Sequence, residues 1–587
     1  MKVLFEGQKY DIKVLKKYFG DKFYHQNNNN TGTINVVGYF HSNQFGLFYF
    51  IPKVFIDDNN NFLGRINFLD LLEEDIEKAI DDLNLLNWLR KFLILFYKSL
   101  VEYKNRIQSG IIDVGDTLQL STSVGDKEYT FLDLTLSIAN FYKKNRNMVL
   151  FHQKKLLSEK HRKTSWSKTV EKQSGYFIDD ETPIYNVTIN KLKTIDPDEI
   201  LLVYFYSVLY HLKDEYKIDL PIDCPYKIIK GKNFEKLLDN GLFKLKKIRH
   251  NYFSDTLKKV YNLLELFFSK TNKGSVSREN QDFIIVRSYH SVFEDMVDKL
   301  ISDKISETKT FDGKSLKYLK KNKDGKNIDH IFPYDGLIDN DEKVFYIGDS
   351  KYYKYNSPLD NKSIYKQFTY AKNVIQFNID LLNENKAISF EDGSKARYRD
   401  QVTEGYNITP NFFIQGRVYD LFDFTNSQLE LDKESGVEMN SHFKNRLFDR
   451  DTLFVNYYKI NFLYVLYAYV NFSSARLNFE RSKIYKQFKE NFVDFFNASS
   501  HFQLYKYDFA SNQELEMFIE NEFRRVIGKI YQPRTNTEHS LIFGVGRNDI
   551  EVKDYFETIH DSSRKVTEHI YTCKNGMRIY FEKYRLE

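Results

Sequence analysis

The run Val344-Phe345-Tyr346-Ile347-Gly348-Asp349-Ser350-Lys351 constrains this chain most. In an extended segment Val344 and Tyr346 fall on one face and Phe345 and Ile347 on the other, so both faces begin apolar. A strand apolar on both sides belongs in the middle of a sheet. Its far end nevertheless carries Asp349 and Lys351, two residues apart and pointing the same way. Charge at such a place is costly unless something compensates it. A divalent cation compensates carboxylates, and the lysine then stands beside the metal and the water that it activates. Upstream, His330-Ile331-Phe332-Pro333-Tyr334-Asp335-Gly336-Leu337-Ile338 leads into the polar Asp339-Asn340-Asp341-Glu342, so a second strand and a turn are expected before the first.

Length and composition set the bounds. At 587 residues the chain has room for three or four domains of about 150 residues. The 86 Lys and Arg against 81 Asp and Glu leave a net charge of +5, which permits nucleic-acid binding without arguing for it. Two cysteines, Cys224 and Cys573, exclude a disulfide framework and a cysteine-rich zinc site, and a reducing cytoplasm is the natural expectation. The N-terminal Met1-Lys2-Val3-Leu4-Phe5-Glu6-Gly7-Gln8 has no signal-peptide core. The most apolar stretch, residues 453–472, contains Asn456, Lys459, Asn461 and Asn471, and reads as a buried or amphipathic helix rather than a membrane span.

Four regions are expected. Residues 1–130 mix strands and helices, with strands over 33–40 and 45–51 joined by His41-Ser42-Asn43-Gln44, and a helix over 68–101. Residues 131–275 are mainly helical, over 132–157 and 198–212, with a polar loop at 162–183 and a basic stretch at 227–251 that reads as a solvated helix face. Thr271-Asn272-Lys273-Gly274-Ser275 is a candidate linker. Residues 276–425 form a compact α/β unit: an amphipathic helix over 283–301, the two strands, a helix over 363–383 and a short buried strand over 411–415. Residues 426–587 read as a mainly helical extension.

The candidate chemistry sits in the third region. Asp335 and Asp349 are the expected Mg²⁺ ligands, since this cation takes a few carboxylates with water and phosphate oxygens, and the Ser350 carbonyl is a further donor. Lys351 would orient or deprotonate the attacking water, or stabilise charge building on phosphate. Glu294, on the preceding helix, is a further ligand or water contact, and Gln367, on the following helix, would hold a phosphate or the lysine. Each residue alone has an ordinary reading: a strand-end ion pair, turn chemistry at Asp335-Gly336, solvent-facing helix positions. Their joint placement is much rarer than any one part. One point of geometry opposes it. A tight turn at Asp339–Glu342 sets Asp349 opposite Phe332, about 10 Å along the strand from Asp335, and a bulge or bend near Pro333 is needed to close the gap.

Asp335, Asp349 and Lys351 in this setting resemble the motif of the PD-(D/E)XK nuclease superfamily, whose core is α-β-β-β-α-β. Two departures stand out. Tyr334 separates Pro333 from Asp335, and Gln367-Phe368-Thr369-Tyr370 replaces a Gln-x-x-x-Tyr pattern. Short blocks elsewhere, Val36-Val37-Gly38-Tyr39-Phe40, Phe50-Ile51-Pro52-Lys53-Val54-Phe55, Ser165-Trp166-Ser167-Lys168-Thr169 and Asn461-Phe462-Leu463-Tyr464-Val465-Leu466, are similar in order to the LlaJI type of restriction endonuclease, related to McrC. The resemblance implies a restriction-endonuclease-like α/β core with an α+β N-terminal region and helical middle and C-terminal extensions. It implies an Mg²⁺-dependent endonuclease of double-stranded DNA in an anti-phage defence system, with residues 1–130 reading DNA or docking a McrB-like AAA+ GTPase. A motor subunit needs a G-x-x-x-x-G-K-[ST] phosphate loop. The nearest run here, Thr308-Lys309-Thr310-Phe311-Asp312-Gly313-Lys314-Ser315, lacks the first glycine and reads as a turn. A non-catalytic DNA- or partner-binding subunit and a structure-specific repair nuclease remain the competing expectations.

Overall fold

The computed structural model describes residues 2–585 except 43–44, 58–60, 63–65, 68, 70–71, 73–82, 109–118, 121–130, 147–151, 158–163, 178–181, 196–197, 216–219, 272–281, 303–318, 320–327, 339–341, 354–360, 384–389, 391–393, 419–423, 428, 433–436, 441–444, 499–500, 535–538, 562–565 and 574–575. The linker candidate after Thr271 and the phosphate-loop-like run at 308–315 lie outside the described residues. The chain divides into two compact units, neither continuous in sequence. One comprises Met1–Lys2, Gly38–Tyr49 and Leu118–Ile285, and the other Val3–Val37, Phe50–Thr117 and Val286–Glu587.

The first unit has a helical core. Helices Phe131–Asn145, Ile200–Glu215, Lys232–Lys247 and Asp255–Thr271 bury Ile138, Phe205, Leu237 and Leu264 in one apolar cluster. A helix through 132–157 is not what forms. It ends at Asn145, and His152–Leu157 is a strand paired antiparallel with Asn190–Ile195, where the backbone polar groups find partners across the ladder. The polar stretch at 162–183 holds a short helix, Trp166–Lys172.

The charged strand lies in the second unit. Its core follows the order α1 (Tyr289–Ile301), β1 (His330–Asp335), β2 (Glu342–Lys351), α2 (Asn361–Asn383), β3 (Asn411–Arg417), β4 (Leu453–Asn461), α3 (Phe462–Asn471) and α4 (Ser474–Asn497). Strand β1 pairs antiparallel with β2, β2 runs parallel to β3, and β3 runs parallel to β4. The central position expected for β2 follows from these neighbours. Helix α4 covers one face of the sheet: Phe332 stacks on Tyr485 at 3.9 Å and Phe412 on Phe488 at 4.3 Å. Gly348 is required there, because a Cβ would stand 2.0 Å from the Phe412 ring.

Several expectations change. The helix expected over 283–301 is a strand, Asp282–Val286, followed by the helix Tyr289–Ile301. Residues 453–472 are a strand followed by a helix, not one helix. Leu453–Asn461 is rich in aromatic and β-branched residues, and Asn461 caps α3 by accepting from the Leu463 amide at 3.0 Å. The domain boundary expected at 425 cuts the β3–β4 pairing and so falls inside a sheet. The C-terminal region is not mainly helical. Its strands, among them Phe502–Asp508, Ser540–Gly546 and Arg578–Lys583, form a six-stranded sheet around Phe518, Phe543, Tyr571 and Phe581. That sheet is tied to the start of β2. Glu342, placed by its sequence in a polar turn, is buried, accepts from the Tyr531 hydroxyl at 2.8 Å and pairs with Arg397.

Candidate active site

The register of the β1–β2 hairpin decides which side chains meet. His330 faces Gly348, Pro333 faces Phe345 and Asp335 faces Lys343 in an unbroken ladder, without a bulge at Pro333. Asp335 is therefore at the turn end of the hairpin, where Lys343 Nζ lies 2.6 Å from its Oδ1. Asp349 is at the opposite end. The acid brought to it is Asp329, one residue before β1 and about 20 Å along the strand from Asp335. The structure thus does not join Asp335 to Asp349. Sequence reasoning missed Asp329: a tight turn sets Phe332 opposite Asp349, whereas the register that forms, with His330 opposite Gly348, sets position 329 beside it.

Asp329 accepts from the Ser350 amide at 3.0 Å and shares a hydrogen bond with Asp349. Burial pushes the Asp329 carboxyl well above the usual carboxylate range, and the Asp349 and Glu294 carboxylates push it further. Glu294, on α1, is near enough for its charge to act on Asp329. Lys351 pairs with Asp349, and its Nζ lies 5.3 Å from the Phe413 ring centroid on β3. Burial lowers the Lys351 pKa, but the carboxylates of Asp349 and Asp329 outweigh it and hold the ammonium above its ordinary value. The side chains of Asp349 and Lys351 are each 15% exposed, which leaves them reachable yet poorly hydrated.

The other candidates take different places. Gln367 is fully buried and brackets α2 to the sheet, donating to the Ile347 carbonyl at 3.3 Å and to Asn411 Oδ1 at 2.6 Å. Among the described residues its Oε1 has no hydrogen-bond partner. Ser350 sends its amide to Asp329 and its hydroxyl to the other face of the sheet, 2.5 Å from His330 Nε2. His330 Nδ1 is 3.4 Å from Asp298 Oδ1. Serine, histidine and aspartate in this order have the connectivity of a hydrolytic triad. Yet His330 is wholly buried and Ser350 is 5% exposed, so no substrate reaches them. Their effect is to fasten β1 to β2 beneath the acidic pair.

Asp329 and Asp349 meet in a poorly hydrated place, and a cation between them would relieve the repulsion of their ionised forms. Among the described residues no group of three or more His, Cys, Asp or Glu side chains is placed to hold a metal ion together, so Asp329, Asp349 and Glu294 do not form a three-carboxylate site. Mg²⁺ does not need one, since it keeps several waters and binds through one or two carboxylates plus substrate phosphate. The pair of Asp329 and Asp349 fits that requirement without a third carboxylate.

No protein-family model matches the chain, and no curated protein matches it. Among solved structures the chain is similar to a Thermococcus gammatolerans assembly of McrB AAA+ hexamers with bound McrC, at 10% identity over 82% of this chain and 99% of the other, with a TM-score of 0.28. It is also similar to the McrBC complex of the same organism, at 12% identity over 51% of this chain and 88% of the other, with a TM-score of 0.16. Its structural neighbours are therefore McrB–McrC complexes, at TM-scores too low to establish a shared fold.

Proposed function

We propose that this chain is a divalent-cation-dependent DNA endonuclease with a restriction-endonuclease-like core, acting in host defence. One observation carries the reading: Asp329 and Asp349 share a hydrogen bond beside Glu294 and Lys351, at the end of a central strand. Mg²⁺ held there would supply Lewis acidity to the scissile phosphate and lower the pKa of a bound water. Asp329 and Asp349 are its proposed ligands, with the Ser350 carbonyl as a further donor. Lys351 places its ammonium where charge builds on the phosphate, and Phe413 and the buried sheet exclude water behind it. Asp335 has no part in this assignment.

The partner proposed is a McrB-like AAA+ GTPase. The support is the order of short sequence blocks similar to LlaJI-type enzymes and the lack of a complete phosphate loop in the chain. The test incubates linear and plasmid DNA with the protein, with and without the GTPase from its genomic neighbourhood, in Mg²⁺ or Mn²⁺. Cleavage lost in Lys351→Ala and Asp349→Asn supports the assignment. Intact DNA throughout, with equal Mn²⁺ binding in wild type and Asp349→Ala, would replace it with a non-catalytic binding subunit.

A further inference from the structure

We infer that the outer face of helix Lys232–Lys247, with the segment that follows it, binds single-stranded nucleic acid through phosphate contacts and base stacking. The helix presents its inner side to the core through Phe234, Leu237, Gly241 and Leu245. Gly241 lets it approach its neighbour, because a Cβ there would stand 2.8 Å from the Phe268 ring. That packing leaves Lys232, Lys236, Asn240, Phe243 and Lys247 along one exposed row. Phe243 is 65% exposed and Phe253, just beyond the helix, is 83% exposed. Between them Lys244, Lys246, Lys247, Arg249 and His250 are exposed, and the stretch contains no acid. Lys247 Nζ stands over the Phe243 ring, 4.4 Å from its centroid.

Part of this has an ordinary cause. Lysines in the last turn of a helix complement its dipole, and Glu235 in the first turn does the same at the other end. The dipole does not account for two phenyl rings turned to water, each forgoing the burial that rewards such a side chain. Interleaved cations and open aromatic faces are what a strand with unstacked bases uses: phosphates meet the lysines and bases meet the rings. A duplex keeps its bases stacked and offers the rings nothing. A membrane would need a broad apolar face, and this row has one phenylalanine among polar residues.

The inference is independent of the proposed nuclease, and its test is run in EDTA so that cleavage plays no part. Anisotropy of a labelled 20-nucleotide oligothymidylate is measured on the full chain. Phe243→Ala with Phe253→Ala is expected to weaken binding about tenfold or more, with circular dichroism and the salt slope unchanged. Lys244→Ala, Lys246→Ala and Lys247→Ala together are expected to reduce the slope of log K against log salt by about 2. A duplex of the same length should change less than about twofold with the phenylalanine variant, since base stacking is the difference being tested. Wild-type affinity in that variant, an equal loss for duplex, or co-sedimentation with phosphatidylserine vesicles in place of the oligonucleotide would overturn the inference.

Discussion

The two ends of the β1–β2 hairpin use the same residue types to opposite effect. At the turn end, Asp335 and Lys343 face each other across the strands, one acid to one base. At the open end, Lys351 pairs with Asp349 while Asp329 shares a hydrogen bond with the same carboxyl. The first pair is neutral and complete. The second group brings Asp329, Asp349 and Lys351 together, with the charge of Glu294 felt there, in a setting with little water. A matched ion pair on a strand is a staple, whereas two carboxyls that share a hydrogen bond at a poorly hydrated strand end make a place that a cation can fill.

That contrast gives its own tests. The largest effect is expected from Lys351→Ala, which should reduce cleavage about 100- to 1,000-fold, while Lys343→Ala, the equivalent change at the other end, leaves the rate within about twofold. Single-turnover rates on one DNA substrate compare them. Next, Asp329→Asn should lose cleavage and metal binding about as completely as Asp349→Asn, whereas Asp335→Asn keeps both. Calorimetric titration with Mn²⁺ reads this apart from catalysis. Equal loss in Asp335→Asn would return that residue to the site.

A smaller effect is expected on stability. The folded pKa of Asp329 is raised above its unfolded value, so below the unfolded pKa the group has no cost. As pH rises from there towards the folded pKa, the folded state holds more protons and stability falls. In EDTA, the melting temperature of wild type should therefore drop by a few degrees more than that of Asp329→Asn as pH is raised from 4 to 8. Added Mg²⁺ should restore wild type only. The smallest effect belongs to the staple. Removing the partly exposed Asp335–Lys343 pair should cost about 1 kcal/mol or less, read by urea denaturation.

The comparison also explains what was hard to see in the sequence. Asp329, just before β1, and Asp335, its last residue, are six positions apart, an even number, so both point to the same face. Alternation alone therefore gives them equal claims on Asp349. The neighbouring Pro333 and Gly336 made Asp335 the more motif-like, while Asp329 stands in the polar run Lys326-Asn327-Ile328-Asp329. Only the hairpin register separates them, and register depends on turn length. Gln367 shows the same limit. Its helix was legible, but whether its amide reached the site or the Ile347 carbonyl depended on how α2 lies on the sheet. The C-terminal sheet was obscured because its main strands are only six or seven residues long, and an apolar run of that length does not separate a buried strand from a helix segment by periodicity alone.

Local chemistry in the sequence determined that Val344–Lys351 is a buried strand ending in charge, that Asp349 and Lys351 share a face, that Glu294 rides on the helix before it, and that no complete phosphate loop exists. These follow from periodicity, which needs only neighbours along the chain. Tertiary structure alone decided that Asp329 rather than Asp335 meets Asp349, that Glu342 is buried against Tyr531, and that Phe243 and Phe253 face water. Each is a choice between positions equivalent in local pattern, made by contacts with residues far away in the sequence.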